Sequence, residues 1–144
     1  MKNTEQQSAV SQYAAVGTQT GVVEATPHRL IQMLLDGALD KIASAKGFML
    51  RKQIAEKGQH ITSAGSIVLG LRDSLDMEAG GEIAANLYNL YNYMFERLME
   101  AHVTNDIALL DEVSSLLHEI KRGWDAIPDE AINGGSVVNS MTGA

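Results

Sequence analysis

The chain has 144 residues and a net charge of −7, a length that fits one domain able to bury a core without metals or disulfides. It contains no cysteine, which excludes disulfide frameworks, thiolate nucleophiles and cysteine metal sites. The charge is lopsided, +2 over Met1–Leu75 and −9 over Asp76–Ala144, and acidic surface repels phosphate backbones, so no nucleic-acid role is expected.

No basic-then-apolar stretch follows Met1, and no run approaches the roughly 18 uninterrupted apolar residues of a membrane span. A cytoplasmic protein without membrane insertion is expected. Residues 1–25 are mostly polar, but Tyr13, Val16, Val22 and Val23 give them something to bury. They read as a strap or short helix lying against the rest.

From there the apolar residues recur at three- and four-residue spacing, with no sustained alternation of the strand type. The expected fold is all-α: an antiparallel four-helix bundle over residues 26–127. The first helix should begin at Thr26-Pro27, where threonine can cap and proline lacks a donor that the first turn would leave unpaired. Its stripe is Ile31, Leu35, Ala38, Ile42, Ala45 and Met49, widened by Leu30, Leu34 and Leu39. Arg51-Lys52-Gln53 marks a turn or a bend. The second helix carries Ile54, Ile61, Ala64, Val68, Leu71 and Leu75. Gly58, Gly65 and Gly70 each weaken it by on the order of 1 kcal/mol, a cost that close packing would offset. Asp76 to Gly81 reads as a loop, and a third helix runs from about Glu82 to Val103. Asn105-Asp106 is the N-cap pair of a fourth helix with the stripe Leu110, Val113, Leu117, Ile120 and Trp124. Short loops between four helices favour antiparallel neighbours. Beyond Pro128 the composition turns to Gly, Ser, Asn and Val, and residues 128–144 are expected to form a flexible, disordered tail.

Helical bundles can house metals, but the chemistry is missing here. A di-iron bundle needs Glu-x-x-His, and the residues three before His28, His60, His102 and His118 are Ala25, Lys57, Met99 and Ser115. There is also no His-Glu-x-x-His zinc helix, Gly-rich phosphate loop or Gly-x-Ser-x-Gly elbow. His118-Glu119 reads as a solvated face. No catalytic, metal or cofactor site is expected, and no enzyme.

The third helix is more apolar than a bundle requires. At about 100° per residue, Ala84, Leu87, Tyr91, Met94 and Leu98 form its core stripe. Ile83, Leu90 and Tyr93, with Asn86 and Arg97, flank one side; Tyr88, Phe95 and Met99 flank the other. Two readings stand. Either this helix is the most buried of the four, or the surplus lines a groove for an amphipathic partner helix. Tyrosine suits a groove, having large contact area, few rotors and a polar tip.

In order and spacing, Tyr13, Val16, Thr26-Pro27-His28-Arg29-Leu30-Ile31-Gln32-Met33-Leu34 and Asp36-Gly37 resemble the opening of the flagellar secretion chaperone family FliS. Ser74-Leu75-Asp76, Asn86-Leu87, Leu90-Tyr91-x-Tyr93-Met94, and Asn105-Asp106 through to Trp124 are similar to its second half. The likeness spans about Tyr13 to Ile127. It departs at Thr26, where serine is commoner, and at Leu35, where an aromatic residue is. The resemblance implies a cytosolic export chaperone that binds the disordered C-terminal segment of flagellin, blocks premature polymerisation and delivers it to the flagellar export gate protein. An adaptor or regulator that sequesters another export component is the alternative, and a homodimer is left open. Carried over by residue, Tyr13 and Val16 belong to the strap, and Ile83, Asn86, Leu90, Tyr91 and Tyr93 to the flagellin track. Tyr91 belongs equally to the core stripe. Leu30, Ile31 and Leu34 are read as core.

Overall fold

The computed structural model describes residues 25–128. Tyr13, Val16, the strap and the tail beyond Pro128 lie outside the described residues. Four helices follow one another: α1 (Pro27–Leu50), α2 (Ile54–Asp73), α3 (Met77–Thr104) and α4 (Ile107–Asp125). Among the described residues there is no strand, and no helix is long and apolar enough to cross a membrane.

Local chemistry sets the helix ends. Thr26 Oγ1 accepts from the Arg29 amide at 3.1 Å, and Pro27 occupies the first turn, so α1 starts where the Thr-Pro signal places it. Arg51 to Gln53 form a turn, with Lys52 at a φ of 59°. The Asn105-Asp106 pair divides its work. Asn105, at a φ of 55°, ends α3 in the left-handed conformation, and Asp106 caps α4 by accepting from the Ala108 amide at 3.0 Å.

The expected loop from Asp76 to Gly81 is corrected. Asp76 accepts from the Ala79 amide at 3.0 Å and starts a helical turn at Met77. Gly81, with φ 56° and ψ −133°, then breaks the helix before it continues. An L side chain at that φ would be strained, so the second residue of the Gly80-Gly81 pair serves the kink.

The helices form a closed ring in which each packs on its neighbours in sequence and α4 returns to α1. Cross-helix contacts run antiparallel. Lys57 meets His102 and Arg72 meets Asn92 between α2 and α3. Gln32 meets Asp125 and Lys46 meets Asp111 between α1 and α4. Leu35, Ile61, Val68, Met94, Leu110 and Leu117 are among the sealed core residues. Ile31 is only half-buried, and Leu34 is the more deeply seated.

Two of the α2 glycines are explained by proximity. A Cβ at Gly65 would lie 3.1 Å from Phe95 Cε1 and 3.2 Å from Met99 Cε, and one at Gly58 would lie 3.0 Å from His102 Cε1. Side chains of α3 therefore nest on the bare backbone of α2. Gly123 near the end of α4 has nothing within 4 Å of such a Cβ.

Two polar groups are buried at opposite ends of the ring. The Lys57 ammonium, on a residue 2% exposed, donates to the His102 carbonyl at 2.9 Å and to Asn105 Oδ1. A cation at the C-terminus of α3 also complements its dipole. At the other end Trp124 Nε1 donates to the His28 carbonyl at 3.0 Å, while His28 Nε2 lies 3.1 Å from the Trp124 carbonyl. The two rings stack with centroids 5.3 Å apart, tying the start of α1 to the end of α4.

Chemical denaturation of three variants checks this account. Gly65→Leu lowers stability by about 1–3 kcal/mol through overpacking, whereas Gly123→Ala raises it by about 0.5–1 kcal/mol through helix propensity. Lys57→Met costs about 1–3 kcal/mol, because the acceptors at the end of α3 lose their donor.

Candidate functional site

The apolar surplus of α3 divides between its two neighbours. Tyr88, Phe95 and Met99 face α2: Phe95 and Met99 pack over Gly65, and the Arg72 guanidinium sits 5.2 Å from the Tyr88 ring centroid. Most of the core stripe is sealed, with Ala84, Met94 and Leu98 at zero exposure, while Leu87 is half-buried against the core.

Tyr91 belongs to that stripe. It is 4% exposed, and burial holds its phenol well above the usual tyrosine range. Of the two readings it carried, its burial matches the core stripe, and in this bundle the side chain presents almost no surface to a guest.

The other flank is open. Ile83 is 43% and Tyr93 38% exposed; Asn86 is exposed and Leu90 half-buried against the core. Positions 83, 86, 90 and 93 follow a three-four spacing and so share one face of the helix. That face meets α4, because both Tyr93 and Arg97 reach Glu112. The antiparallel register then places Leu116, one turn after Glu112, level with Leu90, and Ile120 one turn further toward the Ile83 end. Leu116 and Ile120 are half-buried. The seam between α3 and α4 is therefore the candidate furrow: Ile83, Leu90 and Tyr93 are exposed or half-buried on its α3 side, and by this register the half-buried Leu116 and Ile120 lie on its α4 side.

Polar groups close one end of the furrow. The Tyr93 hydroxyl donates to Glu112 Oε2, and Arg97 Nε donates to Glu112 Oε1 at 3.2 Å. The Arg97 guanidinium also lies 5.4 Å from the Tyr93 ring centroid and pairs with Glu100 at 3.0 Å. The Tyr93 hydrogen bond, and then Arg97, hold the Glu112 carboxyl below its usual range. The same hydrogen bond raises the Tyr93 phenol. No group of three metal-ligating side chains comes together among the described residues.

The α3 half of this site is readable from the helical pattern; the α4 half is not. Glu112, Leu116 and Ile120 sit among ordinary bundle positions. The one available signal was the doubled leucine Leu116-Leu117, which places one side chain inward and the other toward the seam.

Known proteins match this chain over most of its length. The family model for the flagellar protein FliS matches residues 9–131. The chain is 54% identical over 119 residues to the flagellar secretion chaperone FliSB of Pseudomonas aeruginosa, covering 83% of this chain and 94% of that protein. It is 40% identical over 125 residues to the flagellar secretion chaperone FliS of Salmonella typhimurium, covering 86% and 93%. The corresponding protein of Vibrio cholerae is 38% identical over 121 residues, covering 84% and 89%. These relatives are chaperones and not enzymes, and with a helical bundle matched from end to end, the chain belongs to the FliS family of flagellar secretion chaperones.

Proposed function

We propose that this chaperone holds the disordered C-terminal segment of flagellin as an amphipathic helix in the furrow between α3 and α4. In the cytosol it would keep that segment from polymerising early and carry it to the flagellar export gate protein. The observation that carries the reading is the unsealed stripe on α3, in a family whose relatives are secretion chaperones. A helix interior to a bundle gains nothing from an isoleucine and a tyrosine left in water. A guest that covers them removes that exposed area, by the helix-in-groove mode.

Four residues are assigned to the guest. Ile83 and Leu90 supply apolar contact, Asn86 offers its amide to a passing backbone, and Tyr93 is the amphipathic anchor. Ordering a disordered guest costs about 2–5 kcal/mol or more of the gross interaction, so an extended furrow suits the task better than one pocket.

Residues 1–127 are assigned to a single chaperone domain, with 1–25 as its strap, Tyr13 and Val16 as the strap's apolar anchors and 26–127 as the four-helix bundle, and residues 128–144 to a flexible tail. The strap enters α1 at the end of the ring where α3 begins, and Ile83 lies near that end. On this reading the tyrosine and valines of the strap occupy part of the furrow when it is empty.

Titration with a flagellin C-terminal peptide tests the site. Tyr93→Ala is expected to weaken binding about tenfold, as loss of an anchor side chain does, with a melting temperature close to that of the parent. Unchanged binding would remove Tyr93 from the site. Deleting residues 1–25 is expected to speed peptide association severalfold in stopped-flow mixing, and an unchanged rate would remove the strap from the furrow. In a pull-down, flagellin lacking its C-terminal segment should not be captured. Equal capture would favour an adaptor for another export component.

A further inference from the structure

We infer that Glu112 and Arg97 are positioning residues that hold Tyr93 in its docking orientation, an inference that rests on the furrow being the guest site. Three side chains from two helices close a small circuit here, each touching the other two. The Tyr93 hydroxyl donates to one oxygen of Glu112, Arg97 donates to the other at 3.2 Å, and the guanidinium lies against the Tyr93 ring, 5.4 Å from its centroid. Glu100 fixes Arg97 from below at 3.0 Å.

This circuit stands on the outside of the bundle, where ion pairs add little to stability. Folding alone gives no strong reason for a tyrosine, an arginine and a glutamate to meet there. Binding does. A half-exposed tyrosine free to change rotamer must be ordered when a guest arrives, which lowers affinity by a modest factor. Tethered at its hydroxyl to α4 and covered on one face by Arg97, the ring already stands at the lip of the furrow beside Leu90. The clasp also spans the seam, so it fixes the spacing of the two lips at that point.

The rival arrangement is a gate, in which Glu112 occupies Tyr93 and must be displaced by the guest. The two differ in sign. A positioning clasp makes its removal weaken binding, and a gate makes its removal tighten binding.

A double-mutant cycle with the flagellin C-terminal peptide, read by isothermal titration calorimetry on the full chain, decides between them. Glu112→Ala and Tyr93→Phe are each expected to weaken binding about three- to tenfold. The double variant should be no weaker than the weaker single, since both cut the same tether. Glu112→Gln, which keeps an acceptor for the hydroxyl, should recover most of the affinity. Melting temperatures should stay near the parent's throughout, which a merely structural role would not combine with non-additive binding. Parent-like or tighter binding by Glu112→Ala, or simple additivity in the double variant, would overturn the positioning role while leaving the furrow intact. If Tyr93→Ala itself binds like the parent, the guest site is elsewhere and the inference falls with it.

Discussion

The arrangement depends on how closely α3 approaches α2. Gly58 and Gly65 remove the side chains that would hold the two helices apart, and His102, Phe95 and Met99 nest into the space. Each glycine weakens an isolated helix by about 1 kcal/mol, and dense contact between the two elements offsets it. One flank of α3 is thereby committed to α2, and its centre to the core. The remaining flank meets α4 through half-buried leucines and a polar clasp. Part of the exposed apolar surface of α3, at Ile83 and Tyr93, therefore falls on that seam, while Met77 and Val103 are exposed on other faces of the helix.

The two buried polar groups explain how such a small ring keeps its register. The backbone carbonyls at a helix end are unpaired unless something reaches them. Lys57 reaches the His102 carbonyl at the end of α3 and His28 reaches the Trp124 carbonyl at the end of α4, while the Trp124 indole returns a bond to the His28 carbonyl at the start of α1. Each is a long-range contact in sequence, 45 residues apart in one case and 96 in the other. They fix which ends lie together, a job that interchangeable leucines cannot do.

Much of the fold was legible because it is local chemistry. The Thr26-Pro27 start, the Asp106 cap and the inward stripes follow from capping and from a 3.6-residue period. The exposed flank of α3 was legible for the same reason, since Ile83, Leu90 and Tyr93 lie off the core axis by simple rotation. What escaped is what depends on a partner distant in the chain. Lys57 has the sequence context of a solvated lysine, and only the approach of Asn105 makes it a buried donor. Tyr91, by contrast, lies on the core stripe by the same rotation and is sealed there. The turn at Met77 escaped because Gly80-Gly81 suggests a loop, whereas Asp76 caps the helix before the break.

The reciprocal bond between His28 and Trp124 has a consequence for how cargo is carried. Three sides of the ring are joined by the chain itself, and this pair locks the fourth, like the clasp of a bracelet. With the hoop shut, the guest helix proposed above would find no missing stave to replace and would be added as an outer layer. On that proposal, loading and release would not require dismantling the carrier.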